Sequence, residues 1–272
     1  MTGRFVTTKE HRRFTEFANA VRKQRTIGIC FGPAGVGKTL SARRYAHWDT
    51  VHPFIEAWGP RADTDAAIHA TVHRTRTVFY TPPVQIRPRQ LREELDQDIA
   101  RTGICIEKHL VTLGHQTPRS ARGAAWAKLV ELLIIDEAER LNPTALEILR
   151  DRHDRTNTGL IFIGMPGLDK QFSRYPQLYS RIGFAHQYRP LSHEELLFVL
   201  HRQWARLGQQ FDPGDFTDAQ AAATIERITR GNFRLLERLF PQIERILKIN
   251  ELTTITNDVV EAARSTLVIG IT

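Results

Sequence analysis

The sequence predicts an α/β core built on a parallel sheet flanked by helices, followed by a small all-helical domain. Three observations carry that expectation. Short apolar runs alternate with amphipathic stretches up to about residue 189, the first of these runs opens into a glycine-rich turn, and beyond Leu191 only helical periodicity remains. Alternating strand and helix patterns argue for parallel strands joined by helical crossovers. The expected division is 1–189 for the core, with an N-terminal helix over 8–25, and 190–272 for the helical domain.

Each element has its own signal. In 8-TKEHRRFTEFANAVRKQR-25, Phe14, Phe17 and Val21 recur at helical spacing and the opposite face is basic. The run 26-TIGICF-31 reads as a strand, and residues 39–47 read as a helix. The segment 48–76 is broken by Pro53 and Gly59-Pro60, although 64-TDAAIHATVHR-74 fits one helix. A β-branched and aromatic run, 77-TVFYT-81, is a second strand stopped by Pro82-Pro83. Leu91, Leu95 and Ile99 share a face of a helix over 88–101, and a basic irregular stretch follows over 108–123. A helix then leads into 132-LLIID-136. Asn142-Pro143 starts another helix, with Asn as N-cap and Pro at the first turn. Gly159 is expected to end that helix before the strand 160-LIFIG-164, and a last strand falls near 183–188. In the tail, 192-SHEE-195 is a capping box opening a helix to about Leu207, and further helices fit 217–230, 232–249 and 257–266.

The bulk numbers narrow the function classes. A net charge of +8 and a pI near 9.9 favour a polyanionic partner. Cys30 and Cys105 are far apart and form no CxxC pair, which argues against structural zinc and a disulfide framework and for a reducing, cytoplasmic setting. The N-terminal MTGRFVTTKEHRRF has no apolar signal-like region, and no apolar run is long enough to span a bilayer.

Two motifs carry chemistry. The string 32-GPAGVGKT-39 satisfies G-x-x-x-x-G-K-[ST] and lies between a strand and a helix. There, Gly32, Pro33, Ala34, Gly35, Val36, Gly37, Lys38, Thr39 and Leu40 would bind nucleotide: backbone N–H groups face the phosphates at a helix N-terminus, Lys38 reaches the β- and γ-phosphates, and the Thr39 hydroxyl ligates Mg²⁺. Downstream, 132-LLIIDEAER-140 places Asp136 at a strand tip to hold the metal's water shell and Glu137 to polarise an attacking water. The pair predicts binding and hydrolysis of a Mg-nucleoside triphosphate.

The P-loop core followed by helices resembles the AAA+ superfamily. That resemblance implies that Arg181, in 178-LYSRI-182, is a finger acting in trans on a neighbour's γ-phosphate, with Arg174 in reserve. It also implies that Arg234, in 231-GNFRLLERLF-240, senses the nucleotide in cis. One departure stands out. Where the family usually has Thr, Asn or Asp after the fourth strand, this chain has Met165, whose thioether cannot orient water as a hydroxyl or amide does.

More narrowly, 6-VTTKEHRRF-14, GPAGVGKT, LLIIDEAERL, the GMPGL…YPQLYSRIGF segment and GNFRLLERL together resemble the TnsC/TniB/MuB group of transposition ATPases. The resemblance covers most of the chain except about 48–76. It implies homo-oligomeric rings or filaments on double-stranded DNA, bound with little sequence preference, that recruit or activate a DDE-type transposase and answer to a target-selector protein. DNA contacts are expected in 108-KHLVTLGHQTPRSARG-123 through Lys108, Thr117, Arg119 and Arg122, with the basic face at Lys9, Arg12 and Arg13 as a competing site. Two other readings are a helicase loader or initiator and a protein-binding adaptor. No helix-turn-helix is legible beyond the lid helices, and the basic charge weighs against the adaptor.

Overall fold

A computed structural model describes residues 5–59, 63–115 and 124–267. Five strands form one sheet: β1 (Ile27–Phe31), β2 (Thr77–Tyr80), β3 (Leu132–Ile135), β4 (Gly159–Gly164) and β5 (Ile182–Gln187). Their order is β2-β3-β4-β1-β5, and every pairing is parallel. A parallel sheet covered on both faces needs continuously apolar strands. Accordingly β2, β3 and β4 are buried at every residue, whereas the edge strand β5 alternates between half-buried and exposed positions.

Contacts divide the chain into two units. The core unit is 13–32 with 38–188, and the described part of the helical unit is 5–12, 33–37 and 189–267. The expected division at 189/190 therefore omits two pieces of the helical unit, the start of the first helix and the apex of the phosphate loop.

In the core unit, α1 (Lys9–Gln24) contributes Phe14, Phe17 and Val21. It lies so close to β1 that a Cβ on Gly28 would stand 2.6 Å from Val21 Cγ2. The helices α2 (Lys38–Tyr45), α3 (Trp48–Glu56) and α4 (Ala66–Thr75) precede β2. Trp48 is buried against Phe79, which makes it a core residue, while Trp58 is half-buried beneath the Arg101 guanidinium.

Two expectations are corrected here. Helix α5 runs from Pro88 to Thr112, well past residue 101, so Lys108 stands exposed on a helix and not in an irregular stretch. Nothing between Thr102 and Thr112 breaks the helix. Gly103 is accommodated because the chain at α6 (Ala124–Leu129) comes so close that an added Cβ would meet the Trp126 carbonyl oxygen at 2.4 Å. The stop comes at Gly114, with φ +84°. Likewise α7 (Pro143–Thr156) ends on Asn157 in the left-handed conformation, and Gly159 is the first residue of β4. Asn tolerates that conformation better than most residues. Gly159 lacks a side chain because a Cβ would lie 3.0 Å from the Val21 carbonyl oxygen. The two short helices α8 (Leu168–Phe172) and α9 (Pro176–Tyr179) join β4 to β5.

The helical unit holds α10 (His193–Arg206), α11 (Phe216–Thr229), α12 (Phe233–Ile249) and α13 (Asn257–Ser265). Ser192, Asp215, Asn232 and Thr256 cap them in turn, with the Ser192–Glu195 capping box formed in both directions. Trp204, Leu239, Phe240, Ile243 and Val260 lie at the centre of its core. The buried indole N–H of Trp204 donates to Asp218 Oδ1 at 3.0 Å, which satisfies it. The start of α1 belongs here too. Lys9 N donates to Glu195 Oε1 at 2.7 Å, and Lys9 Nζ pairs with Glu194 Oε2 at 2.6 Å.

Candidate nucleotide site

The carboxyl ends of parallel strands carry the chemistry because loops there diverge and helix N-termini converge. In the core unit Gly32 leaves β1, and its N–H donates to the Gly164 carbonyl at 3.4 Å. No side chain fits at Gly32, where a Cβ would stand 2.2 Å from the Tyr188 carbonyl oxygen. Lys38 opens α2 and is buried, with Nζ donating to the Gly32 carbonyl at 2.5 Å. The exposed Thr39 donates its hydroxyl to Asp136 Oδ2 at 2.8 Å. One turn on, Ser41 Oγ and the Tyr188 hydroxyl lie 2.7 Å apart and tie α2 to the residue after β5.

Asp136, 3% exposed, sits just beyond β3. Burial pushes its carboxyl above the ordinary carboxylate range, while the Thr39 hydroxyl, a backbone hydrogen bond at Glu137 and the Lys38 charge pull it back. Glu137 follows with φ +48° and heads the 3-10 turn Ala138–Arg140. Its side chain, 42% exposed, is ion-paired with Arg140, which also donates to the Pro82 carbonyl at 2.8 Å. A buried carboxylate hydrogen-bonded to a P-loop hydroxyl is the donor set a hydrated Mg²⁺ takes, so Thr39 and Asp136 fit that ion.

The loop apex lies in the helical unit. Gly35 and Gly37 adopt φ +80° and +108°, which other residues resist. Asn232 Nδ2 donates to the Ala34 carbonyl at 2.8 Å, and the Arg234 N–H donates to the Gly35 carbonyl at 3.0 Å. A Cβ on Gly35 would stand 2.5 Å from Asn232 Oδ1. Arg234 is thereby fixed at the start of α12 beside the loop, with an exposed side chain. The sequence pattern pointed to Arg234. It passed over Asn232, although an Asn just before a helix is itself an N-cap signal.

Arg181 lies at the other end of the sheet. Its neighbour Ile182 pairs with Ile27 at the start of β1, whereas Gly32 follows the end of that strand. Arg181 Nε donates to Asp154 Oδ1 at 2.7 Å, and its Nη1 donates to the Gln177 carbonyl. Asp154 also pairs with Arg150 at 2.6 Å, and the Arg181 hydrogen bond leads in holding its carboxyl below the ordinary range. Arg174 is exposed, and its guanidinium makes no ion pair among the described residues. Of the expected DNA contacts, Lys108 is exposed on α5, while Thr117, Arg119 and Arg122 lie outside the described residues. Met165 is exposed beyond β4.

Fold and site define a P-loop nucleotide-binding protein of AAA+ architecture. An AAA domain family model matches residues 21–172, more than half of the chain, and the chain belongs to that family. A Staphylococcus aureus protein described as a potential ATP-binding protein is 44% identical over 270 residues, spanning 98% of this chain and 97% of its own. Among solved structures, the RuvB Holliday junction branch migration motor of Thermotoga maritima superposes with a TM-score of 0.57 at 18% identity, covering 97% of this chain and 70% of its own. Cdc6p from Pyrobaculum aerophilum gives 0.58 at 14% identity, covering 100% and 70%. At these identities the likeness is one of fold. No described helix is long and apolar enough to cross a membrane.

Proposed function

We propose that this chain is an ATP-dependent, DNA-binding regulator of transposition. It oligomerises on double-stranded target DNA with little sequence preference and recruits and activates a DDE-type transposase, and ATP hydrolysis drives its disassembly. The observation that carries the nucleotide half is the 2.8 Å contact between Thr39 Oγ1 and the buried Asp136 carboxylate beside Lys38. The name of the 44% identical relative, a potential ATP-binding protein, supports the same half. The DNA and transposition half is supported by the +8 net charge and by the narrow GMPGL…YPQLYSRIGF and GNFRLL segments.

In this reading Lys38 and the loop N–H groups hold the phosphates, and Thr39 and Asp136 hold Mg²⁺, which neutralises phosphate charge when bound. Glu137 takes a proton from the attacking water once it leaves Arg140. Arg234 contacts the nucleotide in cis, and Arg181 completes the site of a neighbouring subunit. A guanidinium supplied in trans stabilises transition-state charge only when the neighbour is docked, so hydrolysis follows assembly. The Asp154 ion pair holds Arg181 in the meantime, and docking has to displace it.

The test pairs two measurements on purified protein, ATP turnover with and without duplex DNA and DNA affinity across salt concentrations. Stimulated turnover and a steep loss of affinity with salt are expected. A flat salt response with unstimulated turnover would point to a protein partner instead.

A further inference from the structure

Met165 leaves the tip of β4 without a polar side chain where water has to be oriented, yet that tip is not bare. A Cβ built on Gly164, the last residue of β4, would stand 2.6 Å from Glu139 Oε2. The Glu139 carboxylate therefore lies directly over the Gly164 α-carbon, in the volume a side chain at that position would fill. The 3-10 turn after β3 puts it there: Glu137 enters the left-handed region, and the chain folds back so that Ala138 is buried while Glu139 faces solvent. Gly164 also accepts the hydrogen bond from Gly32 N, the first residue of the phosphate loop, at 3.4 Å. Glu139 thus sits one residue away from that loop.

Its state sets it apart from its neighbours. Asp136 is buried on Thr39 and Glu137 is paired with Arg140, whereas Glu139 is exposed and makes no hydrogen bond or ion pair among the described residues. Lining a turn does not require an acid. Glu139 is an acceptor with both oxygens open.

We propose that Glu139 supplies the water-orienting acceptor that Met165 cannot, from the 3-10 turn after β3 instead of the β4 tip. This rests on the ATPase reading above. In that reaction the water oxygen bonds to the γ-phosphorus, and the bond from that phosphorus to the β–γ bridging oxygen breaks with its electron pair left on ADP. The water proton passes to Glu137. Glu139 accepts the second O–H and fixes the water in line, without itself taking a proton.

The experiment measures DNA-stimulated ATP turnover, affinity for a fluorescent ATP analogue and Tm for Glu139→Ala, Gly164→Ala, and Glu139→Ala combined with Met165→Asn. Glu139→Ala should lower kcat by about 100-fold with nucleotide affinity and Tm unchanged. Gly164→Ala, whose methyl displaces the carboxylate, should lower kcat in the same way. The double variant, which returns an amide to the β4 tip, should recover much of the lost turnover. Full turnover in Glu139→Ala overturns the inference and leaves the ATPase reading standing, as does a loss that Met165→Asn fails to repair. Absence of turnover in the wild-type protein with DNA overturns both.

Discussion

The two ends of the parallel sheet treat charge in opposite ways. At the amino ends of the strands, arginines are matched to carboxylates and carbonyls. Arg22, Arg25 and Arg76 converge on Glu131 at 3.4–3.5 Å, and Arg22 and Arg25 also donate to the Thr75 and Glu131 carbonyls. Arg25 and Arg76 sit in the left-handed conformation at the ends of α1 and α4, where exposed helix carbonyls favour cations. At the carboxyl ends the acids outnumber their cations. Asp136 is buried with its charge disfavoured, Glu139 is unpaired among the described residues, and Lys38 turns back onto its own loop. Charge satisfied within the chain is architecture, and charge left uncompensated beside a phosphate loop marks a candidate site. Arg181 tests that rule, because it is paired like the structural arginines yet is proposed to act on a neighbour's nucleotide.

The largest expected break is at the unsatisfied end. Lys38→Ala should weaken ATP binding by at least about 100-fold with little change in Tm, read by titration with a fluorescent analogue; near-normal binding would remove Lys38 from the phosphates. Next, Arg181→Ala should keep ATP binding but lose about 10³-fold in assembly-stimulated turnover, while Arg174→Ala stays near wild type. The reverse pattern would move the finger to Arg174, which makes no ion pair among the described residues. Asp154→Ala, which frees Arg181, should raise turnover at subsaturating protein concentrations.

The paired end should respond in stability instead. Glu131→Ala leaves three guanidiniums facing one another and should cost about 2 kcal/mol, discounted for partial exposure, in denaturant unfolding, with ATP affinity intact. The smallest effect has the opposite sign. Burial raises the Asp136 carboxyl above its unfolded value, so its ionised form costs stability above that folded value and the cost disappears as pH falls through it. Asp136→Asn should therefore raise Tm by a few degrees, about 2–4 °C per kcal/mol, at neutral pH while abolishing Mg²⁺-dependent turnover. A lower Tm would contradict the sign.

The sequence disclosed what periodicity and motif spacing encode. The order of the strands along the chain, the capping box at Ser192 and the N-cap at Asn142 stand in the expected places, and the Thr39 hydroxyl lies in hydrogen-bond contact with Asp136. It did not disclose what depends on chain approach. The extension of α5 through Lys108 turns on Gly103 meeting the chain at Trp126, and the crowding at Gly159 turns on α1 and the Glu131 carbonyl. Glu139 was legible only as a solvated acid after Asp-Glu, since its meaning comes from Gly164, 25 residues on. The Arg181–Asp154 pair similarly joins two elements that no local pattern connects.

In the proposed function, ATP switches this chain into an assembly on DNA. Electron microscopy of the protein with non-specific duplex DNA, compared with no nucleotide, ADP and a non-hydrolysable ATP analogue, tests it most directly. Ordered rings or filaments on DNA are expected only with the analogue. Monomers under every condition would contradict it.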